Sequence, residues 1–283
     1  MTDLLANAVP VDVAKPEAED TRLWSVTTLI SALDKPALVP WAANMTAAEA
    51  VRVAKRLPQM VEEDGPAETT RWLASARFRK PKGQARTATE LGTAVHDACE
   101  RYAISGERPE VDDEVRPFLD RFTAWVQAFQ PEYLAAEMTV YNDTYSYAGT
   151  LDAIVRINGT VVLADYKTSA KADEPGRVRG PYPEVSLQMA AYRFAEMAAT
   201  WRPRRHEFQR RRYYLVSPDE RELAVPVPEV EGAIAISITP THCTAYPVRC
   251  DKEIWTAFLY VEEAARWQFE TSKTVIGDPL VVA

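Results

Sequence analysis

Apolar residues return every three or four positions in "VRPFLDRFTAWVQAF" (115–129), with Phe118, Phe122, Trp125 and Phe129 on one face. That spacing predicts an amphipathic helix whose rings belong to the core rather than to a base-stacking platform. A second helix is predicted over 87–105, "TATELGTAVHDACERYAIS", with a threonine cap and Gly106 just past its end. Upstream, residues 21–105 read as mostly helical. "SVTTLISAL" offers Ser25 and Thr27 as N-caps, strong helix formers follow Pro36 and Pro40, and "ETTRWLASARF" forms a further short helix.

Past residue 130 the period changes. "EYLAAEMTVYN", then "GTLDAIVRI" and "TVVLADYKT" on either side of Asn158-Gly159, read as strands. A helix over 183–201 follows, then strands in "RRYYLVS", "AIAISI" and "HCTAYPVR", and a closing helix over 251–270. This order predicts a mixed α/β or α+β core, a central mixed sheet flanked by helices, with a helical N-terminal addition. The expected division is a flexible tail over 1–20, a helical region over 21–86 and a core over 87–283.

Composition narrows the class. With 47% hydrophobic and 26% charged residues the chain has the balance of a soluble globular protein. No apolar run is long enough to span a bilayer, and the N-terminus lacks the basic-then-apolar order of a secretory signal. A membrane is therefore not an expected partner. Three widely spaced cysteines, Cys99, Cys243 and Cys250, fit a reducing cytoplasm and are expected to pack as small hydrophobes. The formal net charge of −8 disfavours a basic coat for nucleic acid. Two local runs go the other way: 71–86 contains Arg77, Arg79 and Lys80, and 201–212 contains Arg204 and Arg205. Both are interleaved with aromatic residues, which makes each a candidate phosphate-binding wall for DNA as well as an ordinary solvated face.

The hairpin carries the chemistry. Asn-Gly is the preferred type I′ turn, and a two-residue loop there pairs Ile157 with Thr160 and, running back along the arms, Asp152 with Asp165. Two carboxylates whose β-carbons lie about 5 Å apart on mostly apolar strands repel each other at a cost. Lys167 falls on the same face as Asp165. Either a divalent cation compensates, Mg²⁺ or Mn²⁺ being suited to hard oxygen ligands, or one aspartate is protonated or paired with Lys167 in a buried ion network. Context favours the cation. A cation between two carboxylates, with an ammonium alongside to orient a water, suits phosphodiester hydrolysis.

Four stretches then resemble, in order, the motifs of the PD-(D/E)XK nuclease superfamily, and within it the RecB-like nucleases: "GTAVHDACE", "GTLD", "ADYKTS" and "QMAAY". The match covers roughly residues 88–195. It implies a restriction-endonuclease-like fold and a metal-dependent DNA nuclease. By resemblance Asp152, Asp165 and the backbone carbonyl of Tyr166 are metal ligands, His96 is an accessory ligand, and Lys167 orients the water. Gln188 and Tyr192 line the site, touching the DNA backbone or steadying the lysine. Glu100 and Glu137 are further accessory candidates. Some relatives carry four cysteines around an iron–sulfur cluster; three wrongly spaced cysteines imply none here. The segment "SVTTLISALDKPALVPWAANM" resembles the start of RecB-like proteins encoded by bacteriophages of actinobacteria. That implies an exonuclease of phage recombination, replication or repair, working in the host cytoplasm, with a single-strand annealing protein or recombinase as partner. A structure- or site-directed endonuclease and a catalytically silent DNA-binding scaffold are the alternatives.

Overall fold

The computed structural model describes residues 21–34, 38–78, 86–169, 180–201, 203–208 and 211–279. They form a mixed α/β fold, a central mixed sheet with helices on both faces. The chain opens with a strand, β1 (Thr21–Ser25), and a short helix, α1 (Val26–Ile30). Three helices, α2 (Leu38–Arg52), α3 (Leu57–Asp64) and α4 (Pro66–Ala74), then pack on one another. Helix α2 buries none of its residues, so this unit is an addition to the core rather than part of it.

Helix α5 (Ala88–Ser105) starts where its local chemistry says it should. The Thr87 hydroxyl accepts from Glu90 N–H while the Glu90 carboxylate accepts from Thr87 N–H, a reciprocal capping box. It stops at Gly106, whose φ of 68° costs a glycine nothing. Helix α6 (Arg116–Phe129) buries Phe118, Phe122 and Trp125 as its spacing predicts. Phe129 is the exception: at the last position of the helix it is 50% exposed.

Three long strands follow: β2 (Glu132–Asn142), β3 (Tyr147–Ile157) and β4 (Thr160–Thr168). Asn158 and Gly159 both have positive φ, 51° and 85°, as a type I′ turn needs. Helix α7 spans Val185–Arg193 and is followed by the two-residue strand β5 (Met197–Ala198). The predicted helix over 183–201 is thus too long by half. Its second half turns back to pair with β2 at Val140 and Tyr141, a tertiary contact that overrides the helix-forming run. Then come β6 (Arg204–Phe208), β7 (Arg211–Val216), α8 (Pro218–Glu222), β8 (Val225–Pro226), β9 (Gly232–Ile238), β10 (Cys243–Val248) and α9 (Lys252–Phe269). The Asp251 carboxylate caps α9 by accepting from the N–H groups of Glu253 and Ile254.

The strand order is β10-β9-β4-β3-β1-β7-β6, with β2, β5 and β8 continuing from the other edge of β3. Pairs β1–β3 and β4–β9 are parallel and the others antiparallel. One face packs on α1, α7 and α9 through Leu29, Met189 and Phe258; the other packs on α5 and α6 through Val95, Leu119 and Phe122. Cys99 and Cys250 are buried and Cys243 is half-buried, all three as free thiols.

Residues 21–30 correct the expected boundary at residue 86. "TRLWS" is a strand inside the sheet, hydrogen-bonded to β3 on one side and β7 on the other. Five residues with Leu23 and Trp24 buried carry no period that separates a strand from a helical turn. Ser25 does precede α1, but its hydroxyl lies 2.9 Å from Thr27 Oγ1 and caps no backbone N–H. Among the described residues no helix is long and apolar enough to cross a membrane.

Candidate active site

The site lies where the sheet opens. The β3–β4 ladder follows the predicted register from Ile157↔Thr160 to Ala153↔Ala164 and then ends. From there β4 runs on paired with β9 up to Thr168, while β1 takes the vacated edge of β3 at Tyr147 and Ala148. Asp152 and Asp165 stand at the fork. They are not a ladder pair as predicted. Instead the Asp152 carboxylate accepts a 2.6 Å hydrogen bond from the Tyr166 N–H, bridging the gap that the missing backbone pairs leave.

Two groups meet there. In the first, His96 comes in from α5 and its Nε2 lies 2.9 Å from Asp152 Oδ2. Glu137 comes in from β2, with Oε1 3.9 Å from His96 Nδ1. Ligand atoms of His96, Glu137 and Asp152 all fall within 4.8 Å of one another, close enough for one ion. Glu137 sits between Ala136↔Ala153 and Met138↔Leu151, hence opposite Asp152, and its φ is +50°. A left-handed non-glycine residue inside a strand is costly, and such strain collects where a side chain must be aimed. Burial draws the His96 imidazolium down, but its hydrogen bond to Asp152 and the charges of Asp152, Glu137 and Asp165 outweigh that and push it up to about 9.

In the second group, Asp165 is 2% exposed. Its Oδ1 accepts from Gln188 Nε2 at 3.0 Å, and Gln188 Oε1 accepts from Lys167 Nζ at 3.1 Å. The ammonium also lies 2.7 Å from Asp165 Oδ2, so it is the counter-charge of that buried oxygen. Burial raises the Asp165 carboxyl to about 6, against the lowering pull of Lys167. One turn beyond Gln188, Tyr192 places its hydroxyl 3.2 Å from Gln188 Nε2. Burial pushes that phenol well above its ordinary range.

The donor set fits a hard divalent cation: the carboxylates of Glu137 and Asp152 and one imidazole. His96, Glu137 and Asp152 would hold it, with Asp165 adjoining. Tyr166 links the two groups, its N–H on Asp152 and its ring against His96 and Phe122. Glu100, one turn further along α5, is half-buried and outside the ion-holding group.

Residues around the cleft include some that the motifs did not single out. Ser25, Thr27, Thr150, Arg212 and Tyr214 line it together with Arg205. Ser25 ends β1 and Thr27 lies in α1, which follows it directly. Arg204 lies on the opposite face of its strand from Arg205. Arg79, Lys80 and the side chain of Arg77 lie outside the described residues. In the same run Arg71 pairs with Glu68, and Arg86 pairs with Asp112 and Glu114.

Gly149 makes the lining possible. A β-carbon there would come within 2.4 Å of the Tyr192 ring. Gly149→Ala is expected to lower stability by about 1–3 kcal/mol through overpacking. Gly92→Ala is the contrasting change: nothing lies within 4 Å of the added carbon in α5, and stability should rise by up to about 1 kcal/mol. Thermal melts of both variants check the pair.

No protein-family model matches the chain, and no curated protein matches it either.

Proposed function

We propose that this chain is a metal-dependent DNA nuclease of the PD-(D/E)XK kind, RecB-like, hydrolysing phosphodiester bonds as an exonuclease in the cytoplasm. The observation that carries the reading is the pairing of His96, Glu137 and Asp152, within reach of one ion, with Lys167 held by Asp165 and Gln188 in the same cleft. A bare ion-binding site has no use for an ammonium fixed by two partners beside it. When bound, Mg²⁺ or Mn²⁺ supplies Lewis acidity at the phosphoryl oxygen. The chain does the rest. Lys167 donates to the attacking water and favours its deprotonated form, and Asp165 and Gln188 fix the ammonium in place. His96 must give up its proton to serve as a ligand, and Tyr192 holds the Gln188 amide in the orientation that serves both partners. The carbonyl of Tyr166 and the carboxylate of Asp165 complete the ligand set in this reading. An annealing protein or recombinase of a phage is the partner that the resemblance implies.

The test is incubation of the protein with linear and covalently closed circular DNA in Mg²⁺ or Mn²⁺. Linear DNA is expected to be degraded and circles spared. Cleavage of circles would assign an endonuclease. Binding without cleavage in any divalent ion would leave a scaffold.

A further inference from the structure

The cleft has a cationic wall that the ion-holding group does not use. Strands β6 and β7 pair with Arg205 opposite Tyr214 and Glu207 opposite Arg212, so these four side chains share one face. That face is turned on the site. Tyr214 OH lies 3.2 Å from Thr150 Oγ1, and Arg205 Nη2 lies 3.5 Å from the same oxygen. Thr150 is two residues from Asp152 and on the same side of β3. Arg205 and Arg212 thus border a cavity of about 280 Å³ together with Asp152, Asp165 and Lys167.

Two other described arginines of the hairpin are turned elsewhere. Arg211 lies 4.2 Å over the Phe269 ring and donates to the Phe269 carbonyl. Arg204 points to the opposite face. Arg205, by contrast, forms no ion pair among the described residues. Arg212 has one, its Nε lying 3.1 Å from Glu207 Oε2, with both side chains about half exposed.

We propose that Arg205 and Arg212 are the phosphate clamp of this site and that Glu207 is the anion holding Arg212 until a nucleic-acid backbone replaces it. The inference rests on the nuclease reading and adds to it which groups receive the strand. A guanidinium fork matches the non-bridging oxygens of a phosphodiester as it matches a carboxylate. An exposed ion pair such as Arg212–Glu207 contributes little, so exchange of one anion for the other meets little resistance. The Glu207 charge still repels the incoming phosphate. It therefore orders Arg212 and limits affinity at once, which gives variants at the two positions opposite signs.

The test is a salt titration of binding to a labelled DNA duplex by the full chain, with Ca²⁺ in place of Mg²⁺ to suppress cleavage. Arg205→Gln and Arg212→Gln should each weaken binding and reduce the log–log salt slope by about 0.9. Glu207→Gln should tighten binding by about twofold to fivefold, the range of an exposed ion pair. Arg204→Gln, on the other face, should leave the slope at the wild-type value. Arg212→Lys, which keeps the charge without the fork, should retain the slope and lose part of the affinity. All four side chains are at the surface, and melting curves confirm that the five variants fold. Wild-type slopes in both Arg→Gln variants of a protein that binds and cleaves DNA would overturn the clamp alone. Weaker binding by Glu207→Gln would overturn the role of Glu207. A wild type that neither binds nor cleaves would overturn the nuclease reading and the clamp with it.

Discussion

Asp152→Ala, Asp165→Ala and Lys167→Ala are each expected to lower the proposed metal-dependent DNA cleavage by roughly a thousandfold or more, the loss that follows when an interaction made in the transition state is removed. The three act differently. Asp152 supplies the atom around which His96 and Glu137 gather. Asp165 fixes Lys167 through one carboxylate oxygen and Gln188 through the other. Among the described residues Lys167 brings the only ammonium to the cleft lining. Their stabilities separate a working site from an inert ion network. Asp165→Ala removes a carboxylate that burial holds at about 6, so above that pH the metal-free variant should be as stable as the wild type or more so. Lys167→Ala strips Asp165 of its counter-charge and should destabilise the metal-free protein at neutral pH. Single-turnover release of labelled nucleotides, alongside thermal melts, reads both quantities. Cleavage near the wild-type rate in any of the three would refute the assignment.

Divalent cation is expected to raise the melting temperature, and to raise it more as pH increases. At a hundred times its dissociation constant a ligand adds about 2.7 kcal/mol to the folded state. For a chain of this length about 1 kcal/mol moves the midpoint by roughly 2 °C, so a gain of about 5 °C is expected. The pH dependence follows from two groups. In the metal-free protein His96 is raised from 6.5 to about 9 and Asp165 from 3.8 to about 6. The folded chain therefore holds both protons more tightly than the unfolded chain. The stabilisation from Asp165 is complete below about 4 and lost as pH rises through about 6; that from His96 is complete below about 6.5 and lost as pH rises through about 9. Cation needs both groups deprotonated, so its binding releases protons and strengthens over the same window. Melts in EDTA should fall from pH 6 to pH 9 while the gain from Mg²⁺ or Mn²⁺ grows. Asp152→Ala should lose the gain. The same gain in that variant, or one that shrinks as pH rises, would put the cation elsewhere.

How far each feature can be read without the fold depends on the range of the forces that set it. Asn158-Gly159 dictates its own turn, and Thr87 with Glu90 closes its own capping box, because every partner lies within a few residues. For the same reason the amphipathic helix over 116–129 and the register from Ile157↔Thr160 to Ala153↔Ala164 follow from local pattern alone. Asp152, Asp165, Lys167, His96, Gln188 and Tyr192 were legible as residue types at motif spacing, and all six line one cleft. The fork between Asp152 and Asp165 was not. It exists because β1, some 125 residues upstream of β3 in sequence, competes with β4 for the same edge, and no local period records which strand wins. The aim of Glu137 was hidden for a related reason: residue spacing does not record that it falls opposite Asp152 with a left-handed φ. Gly149 reads as an ordinary strand glycine until the Tyr192 ring is packed against it. The arginine run shows the same division. Its charge is plain from the residues, but only the pairing of β6 with β7 turns Arg205 and Arg212 toward the cleft and Arg204 away from it.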